Sequence, residues 1–208
     1  YGAPFEGEST WGDCTGVELG PKQIRSSSAR YSGYLPELDH IDVMEHFTLG
    51  DAGDVPFVAH DNDQSYKNIE DFSRELWKTG KFLVGFGGEH GVTYPILKAL
   101  ADSGNKVGII HLDAHYDNMP DFEGEKYARN TPFMRLYETD GIRNESIIHT
   151  GIHGPRNKPE TGKYAKENGA VTIGINTIKE SKDLRALAKD LYDQAAKDVD
   201  VVYLSICS

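Results

Sequence analysis

Cysteine is almost missing from this chain: Cys14 and Cys207 are the only two among 208 residues. That excludes a disulfide framework, and their spacing matches no zinc ribbon. Long apolar runs are missing too, none approaching the roughly 20 residues that cross a bilayer, so no membrane partner is expected. The opening YGAPFEGEST lacks the basic-then-apolar layout of a signal peptide. Basic residues are outnumbered, 22 Lys and Arg against 33 Asp and Glu, for a net charge of −11. Phosphate contacts need clustered cations, so a large nucleic-acid footprint is excluded. Sparse cysteine without a signal fits a reduced, cytoplasmic protein.

Repeats, low-complexity tracts and interdomain linkers are also lacking, and residues 1–208 read as one domain. The final VDVVYLSICS stops inside what reads as a buried strand, so the expectation is a domain cut short at its C-terminus, missing later strands and helices.

What the chain does have is alternation. GPKQIRSSSARY predicts a short helix with Pro21 at its first position. Ile69, Phe72 and Leu76 in KNIEDFSRELWKT fall at intervals of three and four, the stripe of an amphipathic helix. KFLVGFGG reads as a short apolar strand running into a glycine turn. After it come helix PILKALADSG, strand KVGIIHLDA, helix TPFMRLYETDG and strand ESIIHTGI. AVTIGINTIK begins as a strand, SKDLRALAKDLYDQAAKD is a helix with Ser181 as its N-cap, and DVVYLSIC closes as a strand. This order predicts an α/β fold with a parallel sheet and right-handed crossovers. Ligands in such sheets bind at the carboxyl ends of the strands.

Two of those ends, read as neighbours, carry ionisable groups. One supplies GGEH with His90. The other supplies HLDAHYD, where His111, Asp113, His115 and Asp117 recur with period two and would share one face of an extended segment. Carboxylates and imidazoles together suit a first-row divalent cation, and carboxylates able to bridge permit a metal pair that acidifies water. The plainer alternative is a set of solvated loop histidines and capping aspartates, which requires two such sites to coincide by chance.

These segments resemble the ureohydrolases, the arginase and agmatinase superfamily, and most closely its agmatinase-type branch. GGEHGVTYPIL is similar to the family's Gly-Gly-Asp-His-Ser segment and HLDAHYD to its Asp-Ala-His-x-Asp segment. YGAPFEGE, GPKQIR, NTPF and TGIHG resemble further family elements in the right order. The resemblance implies an arginase-like three-layer α/β sandwich with a mainly parallel sheet. It also implies two divalent first-row metal ions, Mn²⁺ foremost and Ni²⁺ as an alternative, and hydrolysis of a guanidino compound with release of urea. By position, His90, Asp113 and Asp117 would ligate one metal and Asp113 and His115 the other. Asp117 would also take part in proton transfer. His111 would support the site or pack under it without ligating.

Arg129 and Asn130 stand where the family has a histidine and a glycine, and His153 lies in a pocket loop; these three are the expected substrate contacts. His149 reads as a satisfied core histidine, and His40, His46 and His60 receive no role. Glu89 replaces an aspartate beside His90. Cys207 aligns with the first of two metal-ligating aspartates, so it is a ligand position filled by a softer atom.

The family further implies a trimer or hexamer. Cys207 and Arg129 keep open a different class of function, a non-catalytic subunit paired with a paralogous active chain. A zinc deacetylase on a related fold is a third possibility. Two metals per chain, none, or one zinc would distinguish the three.

Overall fold

The computed structural model describes residues 1–7 and 15–207; Cys14 lies outside them. Four parallel strands make the main sheet: β5 (Val107–Leu112), β6 (Ile142–Ile152), β7 (Val171–Gly174) and β8 (Val201–Ile206), in the order β7-β6-β5-β8. Two small pairings lie apart from it. β1 (Gly2–Ala3) runs parallel to β4 (Phe86–Gly87), and β2 (Tyr34–Leu35) runs antiparallel to β3 (Ile41–Asp42).

The pleat of β5 sorts its side chains into two layers. Val107 and Ile109 pack with Ile147 of β6 against Leu97 and Leu100 of helix α4 (Thr93–Asp102) and Phe133 and Leu136 of α5 (Pro132–Tyr137). On the other face, Ile110 and Ile148 pack against Leu191 and Ala195 of α8 (Leu184–Ala195). There Gly108 lets helix and sheet touch: a Cβ on it would lie 2.0 Å from the Ala195 carbonyl oxygen. Sheet and two helical layers form a three-layer α/β sandwich. The amphipathic helix predicted from Ile69, Phe72 and Leu76 is α3 (Asn62–Trp77), which buries Ile69 completely against Val92 and Ile96. Among the described residues, no helix is long and apolar enough to cross a membrane.

Three expectations need correction. Ser181 does not cap α8; Asp183 does, its carboxylate accepting from the backbone N–H of Arg185 and Ala186. A carboxylate two residues closer to the helix reaches its orphan donors, and Ser181 cannot. KFLVGFGG is extended as a strand only at Phe86–Gly87, and Phe82 is 95% exposed because nothing among the described residues covers it. Nor are β4 and β5 sheet neighbours: β5 lies between β6 and β8, while β4 pairs with β1. An open cavity of about 1950 Å³ separates the Lys81–Gly88 segment from β8.

Candidate metal centre

The site residues reach one another from three directions. β5 ends at Leu112, so Asp113, His115 and Asp117 belong to the loop beyond it and not to an extended face. The loop turns back at Asp117, whose φ of 46° is in the left-handed region. Non-glycine residues adopt that region at a cost, and such outliers gather at functional sites. His90 arrives from β4 across a tight approach, where a Cβ on Gly88 would lie 2.1 Å from the Phe5 carbonyl oxygen. It opens a short 3-10 turn, His90–Val92, leading into α4. Cys207 follows β8, its N–H donating to the Leu112 carbonyl at 3.0 Å.

The geometry is tight. His90 Nδ1 lies 2.7 Å from Asp117 Oδ2 and 3.4 Å from Asp113 Oδ2. His115 Nδ1 lies 3.3 Å from Asp113 Oδ1, which also accepts from the His115 backbone N–H at 2.8 Å. Two potential cation-holding groups result, His90–Asp113–Cys207 and Asp113–His115–Asp117, each with ligand atoms within 4.8 Å of one another. Asp113 belongs to both. Two carboxylates and two imidazole Nδ1 atoms form a donor set that fits hard or borderline divalent cations; the thiol fits a softer one.

Electrostatics bind the cluster further. Burial works against the Asp113 charge, yet the His111 hydrogen bond and the neighbouring imidazoles hold its carboxyl well below the usual range. Burial likewise opposes a charge on His90, but the Asp117 contact and the two aspartate charges raise its proton affinity above the ordinary value. Cys207 is exposed as a residue, but partial desolvation of its thiol, followed by the Asp113 and Asp117 charges, pushes it up to about 12.

Around the centre, the other expected residues are placed as follows. His111 is buried and touches Asp113 Oδ2 through Nε2 at 3.2 Å. His149 is fully buried within the core. Arg129 and Asn130 line the cavity. The Arg129 guanidinium is held by carboxylates, with Nη2 at 3.3 Å from Glu6 Oε1 and Nε at 3.8 Å from Glu89 Oε2. Glu89 is buried, and desolvation raises its carboxyl to about 7 despite the Gly7 N–H and the Arg129 charge. His153 is exposed and folds onto its own loop, Nδ1 donating to the Gly151 carbonyl at 2.7 Å; it lies outside the cavity lining.

Two contributors were not anticipated. Ser205 of β8 is buried, and its Oγ lies 3.0 Å from His90 Nε2, so the far side of that ring is anchored while Nδ1 faces the carboxylates. The signal was the period-two spacing of Ser205 on β8 and Cys207 just beyond its end. Glu6 was the other, and only its tertiary contact with Arg129 marks it.

Comparison with known proteins bears on the family and the fold. The agmatinase of Bacillus anthracis is 31% identical over 202 residues, covering 97% of this chain and 67% of that protein. The agmatinase of Bacillus subtilis is 34% identical over 169 residues, covering 81% of this chain and 56% of that protein. The crystal structure of formimidoylglutamase from Bacillus subtilis superposes with a TM-score of 0.89 at 25% identity, covering 99% of this chain and 63% of that one. The chain thus spans between about half and two thirds of the length of these relatives. Residues 1–208 match the arginase family throughout, and with the sandwich and its clustered histidines and aspartates in place, the chain belongs to that family of hydrolases.

Proposed function

We propose that this chain carries the metal-binding part of a hydrolase that cleaves a guanidino carbon–nitrogen bond and releases urea. The convergence of His90, Asp113, His115 and Asp117 at the carboxyl end of β5 carries the proposal. His90, Asp113 and Asp117 would hold one divalent cation, and Asp113 and His115 the other. Mn²⁺ suits the carboxylates, and Ni²⁺ suits the imidazoles and the thiol. When bound, such a pair would supply an acidified water and positive charge to the site.

The protein's own groups do the rest. Asp117, set by its left-handed backbone, presents a carboxylate that can accept a proton from the attacking water and return it to the departing amine. Asn130 Oδ1 is buried without a hydrogen-bond partner among the described residues, an acceptor suited to a guanidinium N–H. Arg129 lines the same cavity, but its charge is compensated by Glu6 and Glu89, so it shapes the wall without selecting an anionic over a cationic guanidine. In the same proposal the protein is a cytoplasmic trimer or hexamer.

Urea release from a panel of guanidino compounds, with Mn²⁺ and then Ni²⁺ supplied, tests this. A protein that binds two metals per chain yet releases no urea from any of them would end it. Cys207 favours a second reading, a silent subunit of a mixed oligomer, because it places a thiol where a hard cation wants oxygen. Metal content near zero would favour that alternative. The deacetylase alternative expects one zinc, and the sharing of Asp113 by two ligand groups speaks against it.

A further inference from the structure

Beneath the candidate metal centre runs an unbroken chain of buried hydrogen bonds. His111 Nε2 lies 3.2 Å from Asp113 Oδ2, and His111 Nδ1 lies 2.8 Å from His149 Nδ1. His149 Nε2 lies 2.8 Å from the Tyr137 hydroxyl. Asn118 Nδ2 donates to that hydroxyl at 3.3 Å and to the Thr161 carbonyl at 2.9 Å. His111, His149 and Asn118 are fully buried, and Tyr137 is 7% exposed. The two histidines face each other because β5 and β6 pair them in register. Phe133 stacks on His111 at 4.3 Å and meets His149 edge-on at 4.7 Å, sealing the pair from water.

The proton positions follow from what each group can do. The Thr161 carbonyl only accepts, so the Asn118 amide nitrogen faces it and its other N–H points at Tyr137. Tyr137 therefore donates its own O–H to His149 Nε2. A neutral imidazole has one N–H, so His149 donates from Nδ1 to His111 Nδ1. His111 is left with its N–H on Nε2, aimed at the Asp113 carboxylate. Reversing one link leaves two donors or two acceptors facing each other elsewhere in the chain. All the bonds point one way.

We propose that Asn118, Tyr137 and His149 are positioning residues which, through His111, fix the orientation of the Asp113 carboxylate for a divalent cation. Asp113 Oδ2 is held by His111 and Oδ1 by the His115 N–H, so both oxygens keep their remaining lone pairs toward His90 and His115. The cation part of this proposal rests on the metal-site reading above. Ligand carboxylates are themselves hydrogen-bonded in metal sites, and losing such outer partners costs about 10–100-fold in affinity.

The test combines imidazole tautomers with metal affinity in the intact protein. Long-range ¹⁵N–¹H correlation of the metal-free protein should show His111 protonated on Nε2 and His149 on Nδ1. Tyr137→Phe removes the donor that fixes His149, so His149 should populate the other tautomer and Mn²⁺ affinity should fall about 10–100-fold. His149→Gln keeps one donor and one acceptor in the same order and should retain most of the affinity, whereas the similarly sized His149→Leu should lose it. Opposite tautomers in the unaltered protein, or equal Mn²⁺ affinity in Tyr137→Phe and wild type, would overturn the proposal while leaving the metal site standing. Absence of both Mn²⁺ and Ni²⁺ binding by the unaltered protein would instead remove the metal reading. The tautomers would then decide by themselves whether the chain orients Asp113.

Discussion

Asp113 Oδ2 stands 3.4 Å from His90 Nδ1, while its other oxygen stands 3.3 Å from His115 Nδ1. One carboxylate thus faces an imidazole on each side, and its removal should be felt by both. Asp113→Ala should abolish binding of two metals, whereas Asp117→Ala should weaken mainly one. Elemental analysis after dialysis measures this directly. Equal loss in the two variants would mean that Asp113 does not bridge.

Cys207 should influence which metal the centre prefers. A thiol whose titration is pushed up to about 12 by partial desolvation and nearby aspartates is a neutral, poor ligand for Mn²⁺ at pH 7. A thiolate formed on binding suits Ni²⁺ or Zn²⁺ better. Cys207→Asp should therefore raise Mn²⁺ occupancy and narrow the preference for Ni²⁺, as read by competition dialysis. Unchanged occupancy would remove the thiol from the ligand set.

Arg129 supplies a test of stability. Its guanidinium sits between the largely buried carboxylates of Glu6 and Glu89. Arg129→Met removes their shared cation, leaving Glu6 to the Thr15 and Gly16 donors and Glu89 to the Gly7 N–H, and should destabilise the protein by up to about 3 kcal/mol in denaturant unfolding. Adding Glu89→Gln should restore part of that loss. Additive effects in the double variant would show that Arg129 and Glu89 are not coupled.

Glu89 also gives a pH dependence. Desolvation raises its carboxyl from 4.5 to about 7 in the folded, metal-free protein. The folded state therefore holds this proton more tightly than the unfolded state, and the associated stability, full below about 4.5, is lost as pH rises through about 7. Glu89→Gln cannot lose it. The stability of the variant relative to wild type should increase between pH 5 and pH 8 in urea titrations. A constant difference would show that Glu89 titrates normally.

Much of this was legible in the residues. Helix and strand alternation from Pro95 onward identified the layers, because buried strands such as KVGIIHLDA carry continuous apolar runs. His90 and the HLDAHYD segment marked the site because ionisable groups are a costly choice at buried strand ends. Period two held only as far as β5 itself: from Asp113 the chain curls, and Asp117 enters a left-handed conformation that no spacing announces. The bond between His111 and His149 depends on strand register, which joins residues 38 positions apart. The pairing of Arg129 with Glu6 spans 123 positions. Both are products of topology. Helix α6 (Pro159–Glu167) went unread because it buries only Thr161 and Ala165 and so leaves little apolar stripe.

The gap between β4 and β8 has a colloidal consequence. Its two lips expose Phe82 and Val84 on one side and Leu204 and Ile206 on the other, next to strand edges whose backbone groups have no strand partner among the described residues. Such edges are templates for another strand. At low salt the net charge of −11 keeps copies of these 208 residues apart. The screening length shrinks from about 30 Å at 0.01 M salt to about 3 Å at 1 M, while the apolar lips remain equally adhesive. Light scattering from the 208-residue polypeptide should therefore rise with salt, and charged replacements at Phe82 and Ile206 should suppress the rise.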